Sequence, residues 1–192
     1  MINVKPQLKK LAGLVFGKYQ VNRIYYLDLA NRAADQSAQL PFVTLSGRKQ
    51  IEELATAEIM NHAWYLSPTS RGYGVLHEHR LVCMCCYWMS GDPRLPTWLF
   101  PNLQADEALL VDVLTAGECR GRGYAAALIR YSEQKLKDKG IRRLWTWAWH
   151  SNQPSVRMFE KLQWTYAALS VDIGVLNSEK RLRFRMNRST VS

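Results

Sequence analysis

Between an apolar stretch at Glu107–Thr115 and an amphipathic run at Ala125–Lys139 stands Arg120-Gly121-Arg122-Gly123-Tyr124-Ala125. A glycine turn feeding a helix constrains this chain more than any other feature. It leaves several backbone N–H groups unpaired at the helix start. The helix dipole adds partial positive charge at the same end, and together they make a seat for phosphate oxygens. Gly121 and Gly123 let backbone approach an anion with no side chain between, and Arg120 and Arg122 add charge. No Gly-Lys-Ser/Thr follows, so the turn is not a P-loop, and its spacing is not the dinucleotide fingerprint. Taken alone it is equally a common structural device.

The flanking pattern alternates strands and helices. Pro6 to Lys18 reads as a short amphipathic helix, with Leu8, Leu11, Val15 and Tyr19 at helical spacing. Arg23–Leu29 reads as a strand, and Ser46 caps an expected helix running to Tyr65 with Ile51, Leu54, Ala55 and Ile59 as its buried stripe. Tyr73–His77 and Arg80–Met89 form a hairpin, followed by a loop holding Pro93, Pro96 and Pro101. Glu107–Thr115 is a strand, Ala125–Lys139 a helix closed by Gly140, and Arg143–His150 a strand. Pro154–Leu162 is a helix, and Trp164–Val175 with Lys180–Met186 closes the pattern as an antiparallel pair around Asn177-Ser178. Trp145, Trp147 and Trp149 share one strand face, as a core stripe or as an aromatic wall of an acceptor site.

At 192 residues, 47% of them hydrophobic, the chain supports one core. No apolar run is long enough to span a bilayer and no secretory signal opens the sequence, so a cytoplasmic location is expected, with the inner membrane face as a peripheral alternative. Cys83, Cys85 and Cys86 lie in an apolar stretch without a completing His/Cys cluster, so buried thiols are expected and no metal. The net charge of +10 gathers at the two ends. It fits solvated faces; no nucleic-acid motif accompanies it.

Loop, strand, helix and Asn152 together resemble the GNAT superfamily of acyltransferases. That family's loop reads Gln/Arg-x-x-Gly-x-Gly/Ala, which Arg120-x-x-Gly123-x-Ala125 matches. The resemblance is firm from Glu107 to Ala167 and looser before it. It implies an α/β GNAT fold: a mixed, mostly antiparallel sheet splayed at an acetyl-CoA site, with helices on both faces. Residues 1–20 would then be an added amphipathic helical extension and 21–192 the acetyltransferase domain. The extension is a candidate contact for a membrane surface or a partner, and a homodimer is left open. The resemblance implies that Val113, Leu114 and Thr115 bond the pantetheine arm of acetyl-CoA. Arg120, Gly121, Arg122, Gly123, Tyr124, Ala125 and Ala126 would hold its pyrophosphate, and Asn152 and Phe159 would line the arm.

The reaction implied is direct transfer of an acetyl group from the thioester to an acceptor, an amine first and a sugar of surface-polysaccharide assembly second. A catalytically silent CoA-binding module is the other alternative. An amine attacks only when unprotonated, so a base is needed, and the departing thiolate needs a proton or a stabilising donor. Many members place a Tyr seven residues after the Asn as that acid; here Phe159 stands there and donates nothing. Asp112, beside the expected thioester, and His150, at the end of the following strand, are the candidate catalytic groups. His77, His79 and Tyr166 rank behind them as turn and packing residues.

Overall fold

In the computed structural model of the protein, residues 16–30, 32, 40–175 and 180–187 are described. The elements in chain order are β1 (Phe16–Asp28), β2 (Phe42–Leu45), α1 (Arg48–Leu54), α2 (Ala57–Met60), a 3-10 turn (Ala63–Tyr65), β3 (Ser70–His77) and β4 (Arg80–Met89). There follow β5 (Glu107–Thr115), a second 3-10 turn (Gly117–Cys119), α3 (Tyr124–Lys137), β6 (Arg143–Trp149), α4 (Gln153–Lys161), β7 (Thr165–Val175) and β8 (Arg181–Asn187). The strand order is β2-β3-β4-β5-β6-β1-β7-β8. The β5–β6 pair is parallel, and the β2–β3, β3–β4, β4–β5 and β7–β8 pairs are antiparallel. The chain divides into two compact units, Tyr26–Thr146 in one and the segments up to Tyr25 and from Trp147 in the other.

Three expectations change. The N-terminal helix expected to reach Lys18 meets a strand: Phe16–Lys18 belong to β1, and the rest of that helix lies outside the described residues. Phe42–Leu45 form a strand that the sequence pattern did not announce. The expected helix from Ser46 to Tyr65 is three short pieces. Ala55 is extended (φ −88, ψ 151) and bridges Leu81 of β4 in parallel, and Thr56 is extended after it (φ −68, ψ 160). Neither residue type forbids a helix; Ala55 N still donates to Ile51 O at 2.8 Å, and the residue then turns extended where it bridges β4. Ser46 does not cap: its hydroxyl donates to Gln50 Oε1 at 3.0 Å, and Gly47 holds the cap position without a side-chain bond.

In the larger unit, β4 carries a layer on each face. Leu81 and Met84 pack with Leu45, Ile51, Ile59, Ala63 and Ala116 under α1 and α2. Tyr87 points to the opposite side, where its hydroxyl meets Ser132 of α3 at 2.7 Å. Ser132 donates its own proton to Ile129 O at 2.7 Å, so Tyr87 is the donor in that pair. Leu128, Ile129 and Leu136 complete the buried face of α3. The hairpin turn at Glu78-His79 has both residues at positive φ (49 and 62), which leaves His77 and His79 exposed. All four cysteines are buried and free.

Arg94 fastens the proline-rich loop. Its side chain donates to Asp92 Oδ1 (2.9 Å) and Oδ2 (2.7 Å), to Trp64 O (2.7 Å) and to Ser67 Oγ (2.6 Å), and lies 4.6 Å over the Trp88 ring. Leu99 and Phe100 of that loop are buried, so it folds onto the core. The tryptophan stripe is not the core face of β6. Leu144, Thr146 and Ala148 are buried, whereas Trp145 lies under Phe100 and Tyr26 and Trp149 is 55% exposed. Small side chains occupy the tightly covered face and leave the indoles to the looser one.

In the second unit, Asn152 caps α4 by accepting from Ser155 N at 3.3 Å. Phe159 is buried against Tyr25 and Trp164. On β8, Arg181, Arg183 and Arg185 alternate with the exposed Leu182, Phe184 and Met186.

Candidate functional site

The loop after β5 takes the conformation its glycines permit. Gly121 (φ 76) and Gly123 (φ 81) are left-handed, and Gly123 is the N-cap of α3 with no side-chain cap. The first helix bond is Ala127 N to Gly123 O at 3.1 Å. The N–H groups from Gly121 to Ala126 therefore donate to no described residue, and no acidic side chain stands in the first turn. A Cβ at Gly121 or Gly123 would meet no protein atom within 4 Å. These donors at the positive end of a fourteen-residue helix fit a pyrophosphate. Arg122 is exposed and bonded to no described residue.

Arg120 has another task. Its guanidinium pairs with Glu58 of α2 and donates from Nε to Thr115 O at 3.1 Å. Glu58 also accepts from Gly117 N at 2.9 Å. The pair ties α2 to the loop, so Arg120 shapes the seat and its charge is already answered. Both side chains are well exposed, so Glu58→Gln is expected to lower stability by only about 0–1 kcal/mol. A chemical denaturation curve checks this, and a larger loss would show the tie to be a structural necessity.

The parallel ladder joins Glu107–Leu110 to Arg143–Thr146 and stops, although β5 runs on to Thr115. On its other side, β5 pairs with β4 through a bulge: Tyr87 faces Leu110 and Cys86 faces Asp112, which leaves Val111 as the extra residue. The bulge lies two residues before Val113, where the resemblance set the donor contacts. It also shifts the pleat by one residue. Leu110 shares a face with Tyr87 on the α3 side, while Asp112 shares one with Cys86 on the side of α1, α2 and the first 3-10 turn. Of the predicted contacts beyond it, Leu114 packs on the core beneath α1 and α2, and Thr115 meets Cys83 Sγ at 3.2 Å.

The bulge brings Asp112 to a partner that sequence reasoning missed. His62 Nδ1 lies 2.9 Å from Asp112 Oδ2. The carboxylate side chain is 12% exposed and the imidazole 33%. Burial pushes the Asp112 carboxyl above its usual range, against the opposing pull of His62. Tyr65 stacks beside His62 with ring centres 5.9 Å apart, and burial with the Asp112 charge raises its phenol. Tyr65 O in turn accepts from Cys86 Sγ (3.2 Å) and Trp88 Nε1 (3.0 Å), which seats the 3-10 turn on β4. Trp64 stacks on Tyr65 at 3.9 Å and is 54% exposed.

The other candidate, His150, is exposed in the second unit. Its Nδ1 accepts from Arg23 Nε at 3.2 Å, and Arg23 also pairs with Glu160. Tyr166 packs edge-on against Tyr25.

The sequence from residue 35 to 164 matches the acetyltransferase (GNAT) family. The protein belongs to that family. The family is one of acetyltransferases, and acetyl-CoA is the donor that family uses. Solved structures agree on the fold. A GNAT-family protein from Novosphingobium aromaticivorans is 20% identical (TM-score 0.58, 83% of this chain and 66% of that one). A conserved protein of unknown function from Staphylococcus epidermidis is 12% identical (0.59, 88% and 66%). A GCN5-related N-acetyltransferase from Kribbella flavida is 10% identical (0.57, 89% and 64%). The chain spans less than two thirds of each of these. No protein of curated function matches the sequence. Among the described residues no helix is long and apolar enough to cross a membrane.

Proposed function

We propose that this GNAT protein transfers an acetyl group from acetyl-CoA to an amine by direct attack on the thioester. The observation that carries the reading is the run of N–H donors from Gly121 to Ala126, without a described acceptor, at the end of a strand whose ladder stops at Leu110. Gly121, Arg122, Gly123, Tyr124, Ala125 and Ala126 would bind the pyrophosphate through backbone N–H groups, with Arg122 adding charge. The free edge of β5 from Val111 to Thr115 would bond the pantetheine arm as a strand bonds a neighbour. Asn152 and Phe159 are assigned to the arm by family pattern. Bound there, acetyl-CoA supplies an activated acyl group with a thiolate leaving group.

The chain's own residues have three tasks: hold the donor, orient the acceptor and accept its proton. Asp112 stands next to the bulge, and the last task is assigned to it together with its bonded partner His62. Phe159 cannot protonate the thiolate, so that proton comes from another group or from water. The expected result is calorimetric binding of acetyl-CoA in the micromolar range, about −8 kcal/mol, and thiol release that depends on an added amine. Binding without thiol release across amines, amino sugars and peptide N-termini would leave a CoA-binding module. Absence of any binding at millimolar acetyl-CoA would overturn the reading.

A further inference from the structure

We propose that His62, oriented by Asp112, is the base that takes the proton from the acceptor nitrogen. The inference rests on the acetyltransferase reading above and adds a residue that the family pattern does not supply.

Three observations support it. Asp112 follows the bulge at Val111, where the β5–β6 ladder has just ended, so the pair stands beside the free strand edge assigned to the donor. The carboxylate is nearly covered while the imidazole is open to solvent on one side, which is the arrangement of an orienting acid and a working base. Among the described residues, the ring's hydrogen-bond partner is Asp112, with Oδ2 at 2.9 Å from Nδ1. With the proton on Nδ1, donated to the carboxylate, Nε2 carries the free lone pair. Among the described residues that feel the Asp112 charge, the Cys83, Cys85 and Cys86 thiols are all kept from ionising by burial. The Cys86 thiol is pushed up to about 12 by burial, burial raises the Tyr65 phenol, and Asp92 is answered by Arg94.

The step balances. Nε2 takes a proton from the acceptor nitrogen as that nitrogen forms a bond to the thioester carbonyl carbon. The carbon–sulfur bond breaks with its electron pair on sulfur, and the imidazolium or water returns one proton to the thiolate. The products are the acetylated amine and CoA thiol.

A purely structural ion pair, pinning the 3-10 turn to β5, is the competing account, and His62→Asn separates the two. Its amide can still donate to Asp112 from the position of Nδ1 but offers no base. We expect kcat to fall by about 10²–10⁴-fold with acetyl-CoA affinity and melting temperature unchanged, and the pH dependence of kcat to differ from the parent's. Wild-type kcat and pH profile in His62→Asn would overturn the proposal. A second readout needs neither donor nor acceptor. Nitrogen-15 NMR of the imidazoles, with His62→Asn assigning the signal, should show the Nδ1–H tautomer for His62. Asp112→Asn, whose amide can donate to Nδ1, should shift the ring toward Nε2–H. A wild-type Nε2–H tautomer would point the proton at the acceptor and overturn the base assignment. Loss of acetyl-CoA binding by the unmodified protein would instead defeat the acetyltransferase reading, so the two failures are told apart.

Discussion

Arg94→Ala is expected to lower stability by about 3–5 kcal/mol, the usual loss when one member of a buried ion pair is removed. For a chain of this size that is roughly a 6–20 °C fall in melting temperature. The Asp92 side chain is fully buried and would be left with a charge no longer answered. Burial by itself would raise this carboxyl, but side-chain and backbone hydrogen bonds from Arg94, with one from Thr69, outweigh it and hold the carboxyl at about 2, below the ordinary 3.8. A depressed folded-state value stabilises the protein above the unfolded value, and the contribution is lost as pH falls through the folded one. The stability gap between Arg94→Ala and the parent should therefore be widest near neutral pH and narrow as pH falls toward about 2. Thermal melts followed by circular dichroism across that range check both statements. A drop within experimental error at neutral pH would mean that the loop is held by Leu99 and Phe100 alone. Because Arg94 also bonds Trp64 O, the variant should loosen the turn that carries His62.

Gly123→Val should weaken acetyl-CoA binding by at least about 100-fold while leaving a folded protein, the backbone penalty for a left-handed β-branched residue being about 1–2 kcal/mol. A Cβ there meets no protein atom within 4 Å. Its effect on the empty protein is thus confined to the φ of 81. Its branched methyls would instead stand among the N–H donors, between the helix start and any phosphate placed on it. Calorimetry with CoA reads the loss, and a melting curve on the same sample separates it from unfolding. An affinity equal to the parent's in a folded variant would move the pyrophosphate off this loop.

The loop and its helix were legible because their signals are local: two glycines, a following apolar period and a closing Gly140. Asp112 could be named as a candidate from its place on β5, but its partner could not. His62 is fifty residues away in sequence, and it was hidden inside an expected continuous helix. The break at Ala55-Thr56 comes from a bridge to Leu81, a tertiary bond that outweighs the local preference of both residues. The same holds for Val111. Nothing in Leu-Leu-Val-Asp-Val marks which valine bulges, because the slip is decided by the register of β4. The tryptophan face of β6 was misjudged for a related reason. Large aromatic residues suggest burial, yet the covered face carries Leu144, Thr146 and Ala148.

The place of β1 in the strand order has a consequence for biosynthesis. Among the described strands this one leaves the ribosome first, yet its neighbours come from far along the chain: Leu29 N bonds Arg142 O, and His150 N bonds Val21 O. Arg23 and His150, bonded in the finished protein, are 127 residues apart. At about 5–20 residues per second the early strand waits roughly 6–25 s for the segments that will flank it. During that interval both of its edges are open and its apolar residues Ile24, Tyr25 and Leu27, all buried in the finished fold, are unsheltered. The nascent chain is then a ready client for a holding chaperone, and the β2–β5 meander, whose pairings are sequential, is the portion that can form first.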